Sequence, residues 1–289
     1  MCRWNAYFGQ PVLIDELLFR TEHSLIDQSL HARMGVETTN GDGFGVGWYS
    51  ANDRAAPTRY RTVTPAWSDQ NLRDLASYVE SPLFIAHIRA TTGTPVQQTN
   101  CHPFRHGRWL FVHNGVINGL EAMRRELLLA VDPSVFGGIR GSTDSELLFY
   151  LALTFGLEDD PIGAVEQAVG FIEATAEAHE IEHPVQMTLG FSDGERLYAI
   201  RYSTEHSSRT LFVSDDVASV RALHPDNPRF QRMTDEDRVV VSEPVSDLPG
   251  VWREVPESTA LIIQRGPDEQ REFTPRPPPA RAARASARP

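Results

Sequence analysis

Cys2 directly follows the initiator methionine in "MCRWNAYFG", and Cys101 is the only other cysteine in the 289-residue chain. Removal of Met1 would give Cys2 a free α-amino group beside its thiol, a nucleophile and a base on one residue. A free thiol has a pKa of about 8.5 and a free α-amine about 7.7 to 8.0, close enough for the proton to pass near neutrality. Other polar residues gather where apolar runs end. "LFIAHIRATTG" closes with His87, Arg89, Thr92 and Gly93, and "WLFVHNG" closes with His113, Asn114 and Gly115. "GSTDSE" places Asp144 in the first turn of an expected helix. Cleavage of a γ-glutamyl amide calls for such a set. The α-carboxylate needs an arginine, and the α-ammonium needs a carboxylate. The side-chain carbonyl needs a thiol, with donors for the oxyanion that forms there. Arg89, Asp144, Cys2, and the Asn114 amide with the Gly115 N–H fill those roles.

Each residue also has a plainer explanation. Arg89 would serve as a surface ion-pair partner, and Asn114-Gly115 as an ordinary turn. Thr143 and Glu146 form a T-x-x-E capping box that starts a helix without any ligand. Cys101, in "TNCHPF", reads as a buried small hydrophobe. His87 and His113 read as core or supporting hydrogen-bonders rather than bases. Asp42 in "NGDGFG" is a turn residue or an anchor beside the N-terminus, and the anchor is favoured. His102 and His106 have i, i+4 spacing, but Pro103 and Gly107 oppose the helix that spacing requires. No metal and no organic cofactor is expected.

The elements that must hold these residues are mostly strands. "FGVGWY", "LFIAHIR", "WLFVHN", "VQMTLGFSD", "RLYAIRYS", "TLFVSD", "RVVVSE" and "TALIIQ" read as β-runs. Asp193-Gly194 inside "FSDGERLYAI" marks a hairpin. The opening "RWNAYF" is expected to pin the N-terminus into a sheet. Helical periodicity appears in "GLEAMRRELLLAV", in "DSELLFYLALTFG" and in "DPIGAVEQAVGFIEATAEAH", the last with Asp160 as N-cap and Pro161 at the first helical position. Strands at both ends with long helices between do not make the alternation of a doubly wound sheet. The expectation is an α+β chain of two stacked sheets with helices outside.

The chain carries a formal charge of −12, and all 27 of its basic residues are arginine. That balance argues against a general nucleic-acid binder. No apolar window is long enough to span a bilayer, and the start lacks the pattern of a signal peptide. The expectation is a cytoplasmic protein with no membrane and no nucleic-acid partner. "TPRPPPARAARASARP", with four arginines and no acid, reads as a disordered tail over 273–289, after one domain spanning 2–272.

The ordered set "MCRW", "NGDGFGVGW", "AHIRATTG", "NCHPF", "HNG" and "GSTDSE" resembles the class II glutamine amidotransferases, members of the N-terminal nucleophile (Ntn) hydrolases. "HSLIDQS", "TPAWSDQNL" and "TNCHPF" are similar to the branch associated with glutathione breakdown, with the γ-glutamyl hydrolases of ergothioneine synthesis a related alternative. The resemblance implies a four-layer αββα sandwich of two antiparallel sheets. It implies that Cys2 is a nucleophile exposed by methionine removal. Arg89, Thr92, Gly93 and Asp144 would bind substrate, and Asn114 with Gly115 would form the oxyanion hole. Many members carry tryptophan after the matching arginine, where this chain has Ala90, so leaving-group selectivity is expected to differ. The implied reaction is hydrolysis of a small γ-glutamyl amide (glutamine, glutathione or a relative) through a γ-glutamyl thioester. The alternatives are a glutaminase subunit feeding ammonia to a separate synthase, or a non-catalytic subunit, either with a protein partner.

Overall fold

The structure is a computed structural model that describes residues 2–34, 39–50, 56–91, 93–223, 225–226 and 228–279. Seven strands among them form the first antiparallel sheet: β1 (Arg3–Leu13), β2 (Phe44–Tyr49), β3 (Thr58–Thr62), β4 (Glu80–Ile88), β9 (Phe212–Ser214), β10 (Arg238–Val241) and β11 (Trp252–Glu254). Six form the second: β5 (Phe104–His106), β6 (Trp109–Ile117), β7 (Val185–Ser192), β8 (Leu197–Ser203), β12 (Thr259–Ile263) and β13 (Glu269–Glu272). Helices α1 (Asp15–Leu18), α2 (Leu25–His31) and α3 (Gln70–Ala76) cover the outer face of the first sheet, near α8 (Val217–Leu223) and α9 (Pro228–Arg232). Helices α4 (Leu120–Ala130), α5 (Pro133–Phe136), α6 (Asp144–Thr154) and α7 (Pro161–Ala178) cover the second. This is the αββα sandwich expected from the sequence.

Period-two alternation explains the layers. On β1, Trp4, Ala6 and Phe8 enter the core between the sheets, while Tyr7 joins the core under α1 to α3. On β6, Leu110 and Val112 face inward, while Trp109 and Phe111 face the helices. Helix α6 is apolar nearly all round because the sheet lies on one side of it and α4 and α7 on the other, and Leu147 to Ala152 are all buried. Phe111 stacks on its Phe149 with ring centroids 5.0 Å apart. Each such side chain contributes about 1.5 to 3 kcal/mol of burial.

Three local expectations are refined. Asn114-Gly115 is not a turn: both residues lie inside β6, opposite Thr188 and Met187. The capping box is half made. Thr143 Oγ1 accepts from the Glu146 N–H at 3.1 Å, but the Glu146 carboxylate accepts instead from the Arg140 and Gly141 N–H groups at 3.1 and 2.6 Å. The chain expected to leave the body at 273 stays packed beyond it. Phe273 is buried, Thr274 N–H donates to Glu166 Oε1, and Arg276 N–H donates to the Glu166 carbonyl. Gly170 makes room for that segment, since a Cβ there would lie 2.2 Å from the Arg276 backbone. Residues 280–289 of the expected tail lie outside the described residues.

Candidate active site

The β1–β4 ladder places Cys2. Arg3 pairs with Ile88, so the next step brings Cys2 beside Arg89 and Ala90. Its Sγ lies 3.5 Å from both the Ala90 N and the Ala90 O. Cys2 is half-buried, and burial pushes its thiol above the ordinary value; the Ala90 backbone and the charges of Arg89 and Arg209 oppose the rise.

Arg89 is not a surface residue; it is 3% exposed. Its Nη2 donates to Thr91 Oγ1 at 3.0 Å and Thr94 Oγ1 at 2.5 Å, and its Nη1 to the Pro95 carbonyl at 3.2 Å. Of a guanidinium's five N–H donors, these bonds use three. Asp42 holds the same loop: its Oδ2 accepts from Thr91 N–H at 2.8 Å, and its own N–H donates to the Arg89 carbonyl at 3.0 Å. That is an anchor's geometry. Gly93 is exposed with φ +88°, a left-handed turn suited to glycine. Thr92 lies outside the described residues.

Antiparallel alternation decides what β6 offers. Asn118 N–H donates to the Pro184 carbonyl at 2.8 Å, continuing the β6–β7 register. Residues 116 and 114 then exchange bonds with β7, while the amides of 117, 115 and 113 point the other way. On that side β5 pairs only as far as Phe111. The Ile117 N–H goes to Asp144 Oδ2 at 3.0 Å, and the Gly115 N–H lies on the same open edge. Gly115 has no room for a side chain, since a Cβ would stand 2.0 Å from the Gln186 carbonyl oxygen. Asn114 shares its inward face with Val112, and its ladder partner Thr188 accepts from Trp4 Nε1 at 3.1 Å. The indole of β1 thus reaches the strand beside Asn114, two residues from Cys2.

Asp144 stands at the start of α6. Its Oδ1 accepts from Ser145 N–H at 2.7 Å and from Ser145 Oγ at 3.1 Å, and Ser145 Oγ lies 2.8 Å from His113 Nδ1. His113 is therefore a hydrogen-bonder. Burial lowers its affinity for a proton, with Asp144 acting against that and Arg209 with it. His87 instead stacks on His102 with centroids 4.1 Å apart. Burial, then the Arg89 charge, pushes the His87 imidazole down to about 3. No cluster of three or more His, Cys, Asp or Glu among the described residues is arranged to hold a metal, and His106 ends strand β5 rather than sharing a helix face with His102.

The sequence reading missed Ser145, Thr188, Arg209 and the Ala90 backbone. Ser145 stands next to Asp144 and could have been suspected from that. The others are joined to the site only by sheet pairing and loop packing. A cavity of about 860 Å³ opens on the outer face of the first sheet, against Val12, Leu17, Val239 and Trp252; Cys2, Arg89, Asn114 and Asp144 do not line it.

The family model described as "Glutamine amidotransferases class-II" matches residues 20–287. The chain belongs to the class II glutamine amidotransferases. It is 32% identical over 293 residues to "Probable glutamine amidotransferase DUG3" of Saccharomyces cerevisiae, covering 92% of this chain and 82% of that protein. It is 28% identical to "Gamma-glutamyl-hercynylcysteine sulfoxide hydrolase" of Mycolicibacterium smegmatis, over 91% of this chain and 96% of that one. Among solved structures, a glutamine aminotransferase class-II domain protein from Silicibacter pomeroyi superposes with a TM-score of 0.70 at 35% identity, covering 95% of this chain and all (100%) of that one. No helix among the described residues is long and apolar enough to cross a membrane.

Proposed function

We propose that this chain hydrolyses a γ-glutamyl amide, with Cys2 as the nucleophile. The observation that carries the proposal is the half-exposed Cys2 thiol held against the Ala90 backbone, one ladder step from the Arg3–Ile88 pair and so beside Arg89. Arg89 receives the substrate α-carboxylate with its remaining donors, and Asp144 receives the α-ammonium. Thiolate attack on the amide carbon forms a tetrahedral oxyanion, to which Asn114 and the Gly115 N–H donate. Each such donor contributes roughly 3 to 4 kcal/mol in comparable sites. The Cys2 amine takes the thiol proton as general base. Collapse expels the amine and leaves a γ-glutamyl thioester, which water cleaves. Thr92 and Gly93 are assigned contacts with the glutamyl part of the substrate.

Hydrolysis, rather than ammonia supply to a synthase, is supported by the similarity to a γ-glutamyl hydrolase along nearly the whole of both chains. The experiment compares Cys2→Ala with Cys101→Ala on glutamine, glutathione and other γ-glutamyl amides, with mass spectrometry of the mature N-terminus. Turnover is expected to vanish only in Cys2→Ala, and Met1 is expected to be absent. Retention of Met1 in an active enzyme would rule out the amine as base.

A further inference from the structure

Behind Cys2 lies a buried charged cluster that the proposed chemistry does not use. Arg3 is 3% exposed, and its Nη1 donates to the Cys2 carbonyl at 3.0 Å. Its Nε donates to Glu243 Oε2 at 2.8 Å. Glu243 is 2% exposed and follows β10 by two residues. Its Oε2 also accepts from Met34 N–H at 3.0 Å, and its Oε1 accepts from Arg33 N–H at 2.9 Å. His23 Nε2 lies 2.6 Å from Oε1, while His23 Nδ1 lies 2.6 Å from Asp27 Oδ2. Both ring nitrogens of His23 thus face carboxylate oxygens. One carboxylate therefore gathers four partners, near its full capacity. Next to it, Ser242 exchanges bonds with the Trp4 backbone at 3.0 Å in each direction.

We propose that Glu243 and Arg3 are positioning residues for the nucleophile. The carboxylate orients the Arg3 guanidinium, which fixes the Cys2 carbonyl and with it the direction of the thiol and α-amine. The same carboxylate ties the 33–34 segment to the start of β1, so the nucleophile and the chain beside it share one anchor. A terminal residue has no preceding chain to hold it, and a ladder bond alone leaves rotation about its last dihedrals. A buried guanidinium N–H onto its carbonyl, itself held by Glu243, restricts that freedom. Misplacing a reacting group by about 1 Å costs on the order of a hundredfold in rate. Neither Arg3 nor Glu243 reaches the substrate groups assigned to Arg89, Asp144 or Gly115, so their effect should fall on the chemical step.

This inference rests on Cys2 being the nucleophile. The test compares Arg3→Lys, Arg3→Gln, Glu243→Gln and Cys2→Ala in the full chain. It measures kcat and KM on the γ-glutamyl amide that wild type cleaves, the rate of Cys2 alkylation by iodoacetamide, and urea unfolding midpoints. Arg3→Gln and Glu243→Gln should lower kcat about 10- to 100-fold with KM within about twofold of wild type, and should change the Cys2 alkylation rate. Arg3→Lys, which keeps a charge but not the fork, should recover part of kcat. Should Glu243→Gln fail to fold, the Arg3 pair decides. Folded Arg3 variants with wild-type kcat and alkylation would overturn the proposal, as would a lowered midpoint with no kinetic change. If Cys2→Ala itself remains active, the nucleophile assignment fails instead.

Discussion

The two cysteines invite comparison because their electrostatics are alike. Burial pushes both thiols up, and Arg89 pulls both down, helped by Arg209 at Cys2 and by Arg61 at Cys101. Charge alone would not choose between them. Access does. Cys101 has no exposed surface, and a Cβ on Gly43 would stand 2.5 Å from its Sγ. Its single S–H has the Thr62 carbonyl at 3.3 Å and the Gln97 carbonyl at 3.6 Å as acceptors, and donation to either favours the neutral form. Cys2 keeps exposure and a backbone N–H at its sulfur. The two thiols thus differ in space and in neighbours more than in the charges around them.

The sharpest way to break this comparison is by substitution. Cys2→Ala should reduce γ-glutamyl hydrolysis by at least about 10⁴-fold, by analogy with loss of other covalent nucleophiles. Cys101→Ala should leave turnover near wild type and cost about 1 to 2 kcal/mol in urea unfolding. Equal losses from both would place the chemistry elsewhere.

Gly43→Ala tests how closely Cys101 is packed. The new methyl meets Sγ, and φ at residue 43 is +125°. A loss of about 2 to 4 kcal/mol is expected. Adding Cys101→Ala should restore part of it, giving a coupling of about 1 kcal/mol in a double-mutant cycle. Strict additivity would mean the two sites are not in contact.

The buried imidazole behind Arg89 predicts a pH dependence. His87 has a folded value of about 3 against an ordinary 6.5, so the unfolded chain takes up its proton first. The stability is complete at neutral pH and is lost as pH falls from 6.5 toward about 3, by a few kcal/mol in all. Urea midpoints at pH 7 and pH 4 should therefore differ less in His87→Phe than in wild type. An unchanged difference would mean that His87 is protonated in the fold.

The smallest effect concerns the loop beside the Cys2 thiol. Asp42→Ala leaves the Thr91 N–H without its acceptor and loosens the turn that carries Ala90. About a tenfold fall in kcat/KM is expected, while Asp42→Asn, which keeps an acceptor oxygen, should lose less. Equal losses from the two variants would show that the charge matters rather than the bond.

Much of this architecture was legible beforehand because it follows from local pattern. Apolar β-rich runs marked β2, β4, β6, β7 and β8, and Asp160-Pro161 marked the start of α7, where Asp160 Oδ1 accepts from Gly163 N–H at 3.1 Å. Motif types named Cys2, Arg89, Asn114, Gly115 and Asp144. Short edge elements such as β3 and β5, and the small helices α8 and α9, escaped because too few residues carry their period. The tail's first residues escaped for another reason. Proline-rich composition argues for disorder, yet Phe273 finds a place against Tyr202, with ring centroids 5.2 Å apart.

The sequence by itself determined the element types, the alternation that sorts each strand into inner and outer faces, and the kinds of side chain available for chemistry. These depend on residues a few positions apart. Only the tertiary structure decided that the Gly115 amide lies on an unpaired edge, that Asp144 takes the Ile117 N–H, and that Arg3 joins Cys2 to Glu243, 240 positions away from Arg3. Such outcomes depend on sheet register and on which buried charges meet. Both are set by packing across the whole chain rather than by any short stretch of it.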